Sequence, residues 1–196
     1  MVDIIISAGT AKVKARTYKV GATYFMDYSF PYNPWKIWSE HLQKAVKSDM
    51  ERLQSEEYRK SIGSFHDEKF FYNKIHNRMY GTLIVAIYSE IEDCIKRIFS
   101  LDNYKYECLQ CKLKQYSIDA SDLPYFNEMN ILRLQVNAFK HNDMYMTKEL
   151  AKELKTKKLG IVDYTSINIE ETVNQCCHFL FELEKRMDEY NAKSNS

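Results

Sequence analysis

Three polar residues have the side-chain types needed for metal-free RNA cleavage and a spacing that permits it. Arg133, Asn137 and His141 follow one another at intervals of four. Residues four apart lie on the same face of an α-helix, so these side chains are expected to form one slanting polar stripe over two turns. A histidine exchanges protons near neutral pH, and the planar guanidinium of arginine binds two phosphate oxygens. Such a stripe can move a proton to or from a ribose hydroxyl and stabilise charge on phosphorus, with the asparagine orienting either group.

The same spacing also fits an ordinary solvated helix face. The apolar residues Met129, Leu132 and Val136 flank the stripe and predict that it lies at the rim of a buried core. A histidine at the end of a helix also complements the negative pole of the helix dipole without any catalytic role. Spacing alone favours this structural interpretation.

Apolar residues at helical spacing predict four principal helices. The first covers about 35–60 and the second about 67–99. The third, over about 124–140, carries the polar stripe, and Pro124 suits an early position in it. The last begins at Asn168, which forms a capping box with Glu171 three positions later.

Shorter features lie between these helices. Gly81 interrupts the second helix at a cost of about 1 kcal/mol relative to alanine, which indicates close packing against a neighbouring helix. Residues 100–123 mix short helical turns with polar connections. A lysine-rich helical segment covers 147–158, with Gly160 as its stop signal, and an extended link follows over 161–167.

The fold class predicted by these elements is all-α, an up-and-down bundle of four to five main helices. Residues 1–30 form an N-terminal arm, either a short β-hairpin or an irregular segment, because polar and apolar residues alternate only loosely there. Residues 31–190 form the helical domain, and residues 191–196 form a disordered tail.

The composition is that of an ordinary globular chain. The 196 residues include 28 Lys and Arg against 27 Asp and Glu, a formal net charge of +1, with 5 Gly, 3 Pro and 14% aromatic residues. These values exclude collagen-like, low-complexity and disordered classes. A near-zero net charge also provides no whole-molecule field that attracts nucleic acid or an anionic membrane, so any such binding must be local.

We expect a cytoplasmic chain without a membrane span. The longest purely apolar run, from Leu83 to Ile87, is far shorter than the roughly 20 residues that cross a bilayer. The opening residues 1–8 lack the basic flank and long apolar core of a secretion signal. The five cysteines are odd in number and irregularly spaced, which predicts reduced thiols.

Two segments resemble the HEPN superfamily, the all-helical "higher eukaryotes and prokaryotes nucleotide-binding" domains found among RNase toxins and phage-defence proteins. The run from Asn137 to Asp143 is similar to the signature helix of these domains. The run from Ala86 to Lys96 resembles their long early helix, in which an aromatic residue precedes an acidic one. With the final helix included, the similarity covers roughly 35–190 and implies a HEPN-like bundle.

The resemblance implies a metal-independent endoribonuclease that cleaves single-stranded RNA in a toxin or phage-defence role, without a cofactor. Arg133 and His141 are then its catalytic residues, with Asn137 assisting. The family pattern has four to six residues between the arginine and the histidine, whereas seven lie between Arg133 and His141 here, and Val136 stands where an arginine would directly precede Asn137. We expect Arg133 to reach the same phosphate, because its side chain is long and the stripe is continuous.

This departure leaves an alternative open, a catalytically inactive HEPN-like module for binding or dimerisation in a defence or signalling assembly. The resemblance implies a homodimer in which the stripes of two subunits line a shared cleft for RNA. It also admits an antitoxin or another defence protein as partner. A purely structural helical protein is the third interpretation.

Lysines directly after the stripe favour contact with an RNA backbone. We assign Lys140, Asn142, Lys148 and Lys152 to RNA binding, because positive side chains next to the stripe can bind successive phosphates. Acidic residues interleave with these lysines, so a charged solvated helix is the alternative interpretation.

The sequence predicts no metal site. Cys108 and Cys111 form a lone Cys-x-x-Cys pair, and only Cys176, Cys177 and His178 offer a crowded set of further ligands for tetrahedral zinc. Ordinary buried or surface thiols explain these cysteines better.

Overall fold

Six α-helices make up most of the structure, a computed structural model that describes residues 33–55, 65–99 and 106–194. In chain order they are α1 (Pro34–Gln54), α2 (Phe65–Ile98), α3 (Tyr106–Gln115), α4 (Phe126–His141), α5 (Lys148–Glu153) and α6 (Ile169–Ser194). Two 3-10 turns, Ala120–Asp122 and Tyr164–Ser166, lie in the connections. Within the described ranges the only β pairing is one isolated antiparallel bridge between Tyr145 and Ile161. The predicted all-α class is therefore confirmed for these ranges.

The central element is α2, a helix of 34 residues and therefore about 50 Å in length. It packs against α1, α4, α6 and the turn Tyr164–Ser166. Its inward face is a row of fully buried aliphatic side chains, Leu83, Ile84, Ile87, Ile91 and Ile95. Burying each of these side chains contributes roughly 1.5–3 kcal/mol, so this row is a substantial part of the apolar burial in the bundle.

The apolar faces of α4 and α6 complete the core. In α4 the predicted core residues Met129, Leu132 and Val136 are all buried, as their spacing indicated. In α6 the buried set includes Val173, Cys176, Phe179, Leu180 and Leu183. Both helices are amphipathic, and each turns its apolar stripe towards α2.

Side-chain caps determine where two of the long helices begin. The Asn33 Oδ1 atom accepts hydrogen bonds from the Trp35 and Lys36 amides, at 2.9 and 3.1 Å, ahead of α1. The Asn168 Oδ1 atom accepts from the Glu171 amide at 3.2 Å, which confirms the predicted start of α6. The Glu171 carboxylate accepts from Gln175 one turn later.

Left-handed backbone shifts two helix ends from their predicted positions. The predicted start of the third helix at Pro124 is wrong, because Tyr125 adopts φ 59° and α4 begins only at Phe126. The lysine-rich helix ends at Glu153 rather than near 158, since Lys155 adopts φ 51°. A left-handed residue cannot continue a right-handed helix, so the chain turns there.

The link after α5 also differs from its prediction. Gly160 is not a helix stop: its carbonyl accepts the Met146 amide at 2.7 Å, beside the isolated bridge. The link 161–167, predicted to be extended, contains the turn Tyr164–Ser166. The last helix continues to Ser194, inside the predicted tail 191–196.

Two further predictions concern the N-terminal segment of the chain and the absence of a membrane span. The predicted N-terminal arm, 1–30, lies outside the described residues. None of the helices in the described ranges is long and apolar enough to cross a membrane.

Gly81 allows α2 and α4 to approach closely. A methyl group at this position would overlap the ring of Phe139 on α4. The prediction of close packing at Gly81 is therefore confirmed, and the ring of Phe139 fills the space that a side chain would otherwise take.

We predict that Gly81→Ala lowers the free energy of unfolding by about 1–3 kcal/mol, measured by urea denaturation. Overlap with Phe139 should outweigh the roughly 1 kcal/mol that alanine adds through helix propensity. In a Phe139→Ala background, the same change should be neutral or stabilising because the ring is gone. An equal loss in both backgrounds would contradict the contact.

Candidate functional site

The predicted polar stripe runs along α4 from the rim of the core into solvent. The Arg133 side chain is only 14% exposed. Asn137 is half-buried, and His141 is exposed as the last residue of the helix. The imidazole is thus the most accessible member of the stripe.

Arg133 is held by partners on its own helix and on α5. Its Nε and Nη2 atoms donate to Asn130 Oδ1 at 3.2 and 3.0 Å. Nη2 also donates to Glu149 Oε1 at 3.1 Å. These bonds join α4 to the short helix α5.

Arg133 and His141 do not share one volume in this structure. Helical side chains lean towards the N-terminus, and the bonds to Asn130 show that the Arg133 guanidinium follows this rule. His141 lies eight residues further on, about 12 Å along the helix axis. The guanidinium therefore points away from the imidazole, and the expected meeting of both groups at one phosphate requires Arg133 to leave its present partners.

The chain folds back tightly after His141. The Asn142 and Met144 amides both donate to the Ala138 carbonyl, at 3.2 and 2.9 Å. Asp143 and Met144 both have positive φ angles, which turn the chain back towards α4. The Met144 side chain is buried. The Asn142 side-chain amide donates to the Tyr145 carbonyl at 2.7 Å. Asn142, predicted to bind RNA, thus has a structural hydrogen bond within the loop.

An arginine outside the predicted polar stripe and the predicted RNA-binding residues lies beside this loop. Arg78 of α2 donates from Nη2 to Asp143 Oδ1 at 3.2 Å, and its side chain is 56% exposed. Asp143 is two residues after His141, so Arg78 is bonded to the loop that directly follows the histidine. No sequence spacing pointed to Arg78, because this contact joins residues 65 positions apart.

A buried polar clamp fixes α2 against the chain that follows α5. The Asn77 side chain donates to the Val162 carbonyl at 2.8 Å and accepts from the Tyr164 amide at 2.6 Å. Tyr164 is fully buried, its hydroxyl donates to the Gln135 carbonyl at 2.8 Å, and its ring meets Phe139 edge to face. Because burial also raises the pKa of the Tyr164 phenol, this group remains a hydrogen-bond donor. The clamp holds Arg78 and the end of α4 in one arrangement.

The predicted RNA-binding lysines are on the surface. Lys140, Lys148 and Lys152 are all exposed. Lys140 also lies near Glu92 of α2, where burial raises the pKa of the carboxyl and the positive charge of Lys140 opposes that rise. Lys140 directly precedes His141 in the chain, but successive residues of a helix do not face each other, so its ammonium lies on the side towards α2.

Two other polar features lie away from this surface. The buried His76 ring bonds Asp49 Oδ2 from Nε2 at 2.9 Å and joins α2 to α1, a partner that the sequence did not indicate. A cavity of about 320 Å³ lies between α1, α2 and the start of α6, lined by Ser39, Gln43, Tyr80 and 165–170. Arg133, Asn137 and His141 do not line it.

The described cysteines are thiols in contrasting surroundings. Cys94 is buried and accepts a hydrogen bond from Arg97 at 3.2 Å, and burial raises its pKa to about 11. Burial also raises the pKa of Cys176, whereas Cys111 is exposed. The side chain of Cys108, the other half of the Cys-x-x-Cys pair, lies outside the described ones. Among the described side chains, no group of three or more metal-ligating residues occurs.

Comparisons with known proteins assign no function to this chain, so the geometry described above is the basis for a proposal. No protein-family model, curated protein or solved structure matches the chain. Any proposal of function therefore depends on the exposed His141 imidazole, on the cations Arg78 and Lys140 of the adjoining segments, and on the resemblance of the run from Asn137 to Asp143 to the HEPN signature helix.

Removing the clamp should destabilise the fold. We predict that Asn77→Ala lowers the free energy of unfolding by about 1–3 kcal/mol, because the Val162 carbonyl and the Tyr164 amide both lose a partner. Urea denaturation measures this loss. Asn174→Ala, the same substitution at an exposed position of α6, is the control and should cost little. Equal effects of the two substitutions would refute the clamp.

Thiol labelling should separate the cysteines by burial. At pH 8 we expect iodoacetamide to modify Cys111 at least about tenfold faster than Cys94 or Cys176, because a raised pKa leaves little thiolate at that pH. Peptide mass spectrometry of the labelled native protein gives the three rates. Equal rates in the native protein, matching those in urea, would show that Cys94 and Cys176 are not protected.

Proposed function

We propose that this chain is a metal-independent endoribonuclease of the HEPN type, which cleaves single-stranded RNA as a homodimer in a toxin or phage-defence role. The observation that carries the proposal is the exposed His141 at the end of α4, with Arg78 bonded to the loop that follows it and Lys140 directly before it in the chain. A proton-transfer group and two cations on one open surface suit the cleavage of a phosphodiester.

The chemistry assigned to His141 is a proton transfer. As base, the imidazole takes the proton of a ribose 2′-hydroxyl while that oxygen attacks phosphorus. As acid, it gives a proton to the departing 5′-oxygen when the P–O bond breaks. The products are a 2′,3′-cyclic phosphate and a 5′-hydroxyl. One imidazole performs one of these transfers, and a second copy of the chain supplies the other.

Arg78 is the guanidinium best placed to stabilise charge on phosphorus. Its ion pair with Asp143 is largely exposed, and pairs of that kind contribute about 0–1 kcal/mol, so a phosphate can displace the carboxylate. Arg133 is more buried and bonds to both Asn130 and Glu149. We therefore assign Arg133 to positioning α5 with Lys148 and Lys152, and Arg78 with Lys140 to the phosphate.

The bonds of Arg133 favour a second candidate, a catalytically inactive HEPN-like module that binds RNA or a defence partner. In that module the stripe is a structural device, and the guanidinium remains with Glu149. The exposed lysines keep their role in binding. The two candidates differ in whether RNA is cleaved at all.

An RNA digest in EDTA separates the two candidates. We predict that the wild type cleaves single-stranded RNA and leaves 2′,3′-cyclic phosphates. His141→Ala should lower the rate by at least about 100-fold through loss of proton transfer, and Arg78→Ala by about tenfold or more. His41→Ala, which removes an exposed histidine on α1, should cleave like the wild type.

Two outcomes would count against the enzyme. Cleavage by His141→Ala at the wild-type rate would remove His141 from the reaction. Intact RNA with every variant, together with retained RNA binding, would favour the inactive module. Glu149→Gln tests the role of Arg133: if that guanidinium serves the phosphate, releasing it should change the cleavage rate at saturating RNA, whereas a positioning role predicts lower stability and weaker RNA binding at an unchanged rate.

A further inference from the structure

An exposed apolar pair lies next to His141, on the isolated bridge that follows α4. The Met146 amide donates to the Gly160 carbonyl at 2.7 Å, and the Val162 amide donates to the Met144 carbonyl at 2.8 Å. Tyr145 and Ile161 lie between these two bonds, which makes them a non-hydrogen-bonded antiparallel pair. In such a pair the two side chains are close neighbours on one face.

The pair faces solvent while its neighbours face the core. Val162 is buried, and side chains alternate across extended backbone, so Ile161 points outward and its pair partner Tyr145 lies on the same face. Tyr145 is 53% exposed and Ile161 is 51% exposed. Leu159, two residues before Ile161, is 60% exposed. We call Tyr145, Leu159 and Ile161 the bridge face.

The charge around the bridge face is positive. Residues 140–161 contain six lysines and three carboxylates. All six lysines are exposed. Two of the carboxylates are already paired with arginines, Asp143 with Arg78 and Glu149 with Arg133. An exposed aromatic ring thus lies in a field that attracts anions.

We propose that Tyr145, supported by Ile161, is a stacking platform for a base of single-stranded nucleic acid whose backbone follows the surrounding lysines. A ring with cations on its flanks is the combination that binds such strands, because the ring stacks on a base and the cations bind phosphates. The bases of a duplex are already stacked on one another and cannot use this platform. Single-stranded RNA as the ligand rests on the proposed function.

The platform is coupled to the position of His141. The Asn142 side chain donates to the Tyr145 carbonyl, and Asn142 directly follows His141. A base on Tyr145 therefore places its neighbouring phosphates within the reach of the loop that follows His141. Tyr145 is a positioning residue in this proposal, and it decides where along a strand the protein binds.

Binding of a strand that cannot be cleaved tests the platform directly. The probe is a fluorescein-labelled 2′-O-methyl oligonucleotide of about 12 nucleotides, in EDTA, followed by anisotropy. Tyr145→Ala should weaken binding about tenfold, and Tyr145→Phe should bind like the wild type because it retains the ring. Phe181→Ala removes another exposed aromatic ring, on α6, and should have no effect. The salt dependence should be the same for Tyr145→Ala and the wild type, because the lysines are unchanged.

Several results would overturn the platform. One is a Tyr145→Ala variant that binds the oligonucleotide as tightly as the wild type does. Another is an equal loss of oligonucleotide affinity in Tyr145→Phe and Tyr145→Ala. In a third, an acidic amphipathic peptide binds in a way that depends on Tyr145, whereas oligonucleotide binding does not depend on it. That result would assign the bridge face to a protein partner. Circular dichroism of each variant confirms that it is folded.

The platform and the ribonuclease can fail separately. Tyr145-dependent binding without any RNA cleavage by the wild type would support the platform and refute the enzyme. Cleavage that depends on His141, with oligonucleotide binding that ignores Tyr145, would support the enzyme and refute the platform.

Discussion

The clamp between Asn77 and the chain at Val162–Tyr164 is the constraint on which the described arrangement depends. One side-chain amide satisfies the Val162 carbonyl and the Tyr164 amide, between the isolated bridge and the turn Tyr164–Ser166. Tyr164 then reaches across to α4, where its hydroxyl bonds Gln135 and its ring meets Phe139. Unpaired backbone groups at this depth would each cost about 1–3 kcal/mol, so few other arrangements of this link are available.

One turn of α2 makes three polar contacts with three separate segments. His76 bonds Asp49 of α1, Asn77 bonds the link after α5, and Arg78 bonds Asp143 in the loop after α4. Gly81, one turn further on, admits the ring of Phe139. The helix that supplies the longest row of fully buried aliphatic side chains therefore also sets the position of the loop behind His141, and core packing and surface chemistry are coupled through it.

Burial separates the roles of the two arginines near the proposed site. Arg133 is largely sheltered and multiply bonded, so moving it disrupts the contact between α4 and α5. Arg78 is mostly exposed, and its single carboxylate partner is itself exposed to water, which screens the pair. A ligand phosphate therefore displaces Asp143 from Arg78 easily, but displaces Glu149 from Arg133 poorly.

Periodicity in the sequence determined the all-α class and the core stripe of Met129, Leu132 and Val136, because these are properties of single helices. Residue type marked the cap at Asn168 and the close approach at Gly81, but only the packed structure shows that Phe139 is the neighbour of Gly81. Tertiary structure alone decided the rest. Left-handed residues set helix boundaries that no glycine marked, at Tyr125 before α4 and at Lys155 after α5. The Asn77, Arg78 and Tyr145 contacts join distant segments whose approach depends on the whole packed core. The stripe at Arg133 and His141 was visible in the sequence, but the direction of the guanidinium was not, because a carboxylate on another helix and an amide one turn earlier determine it.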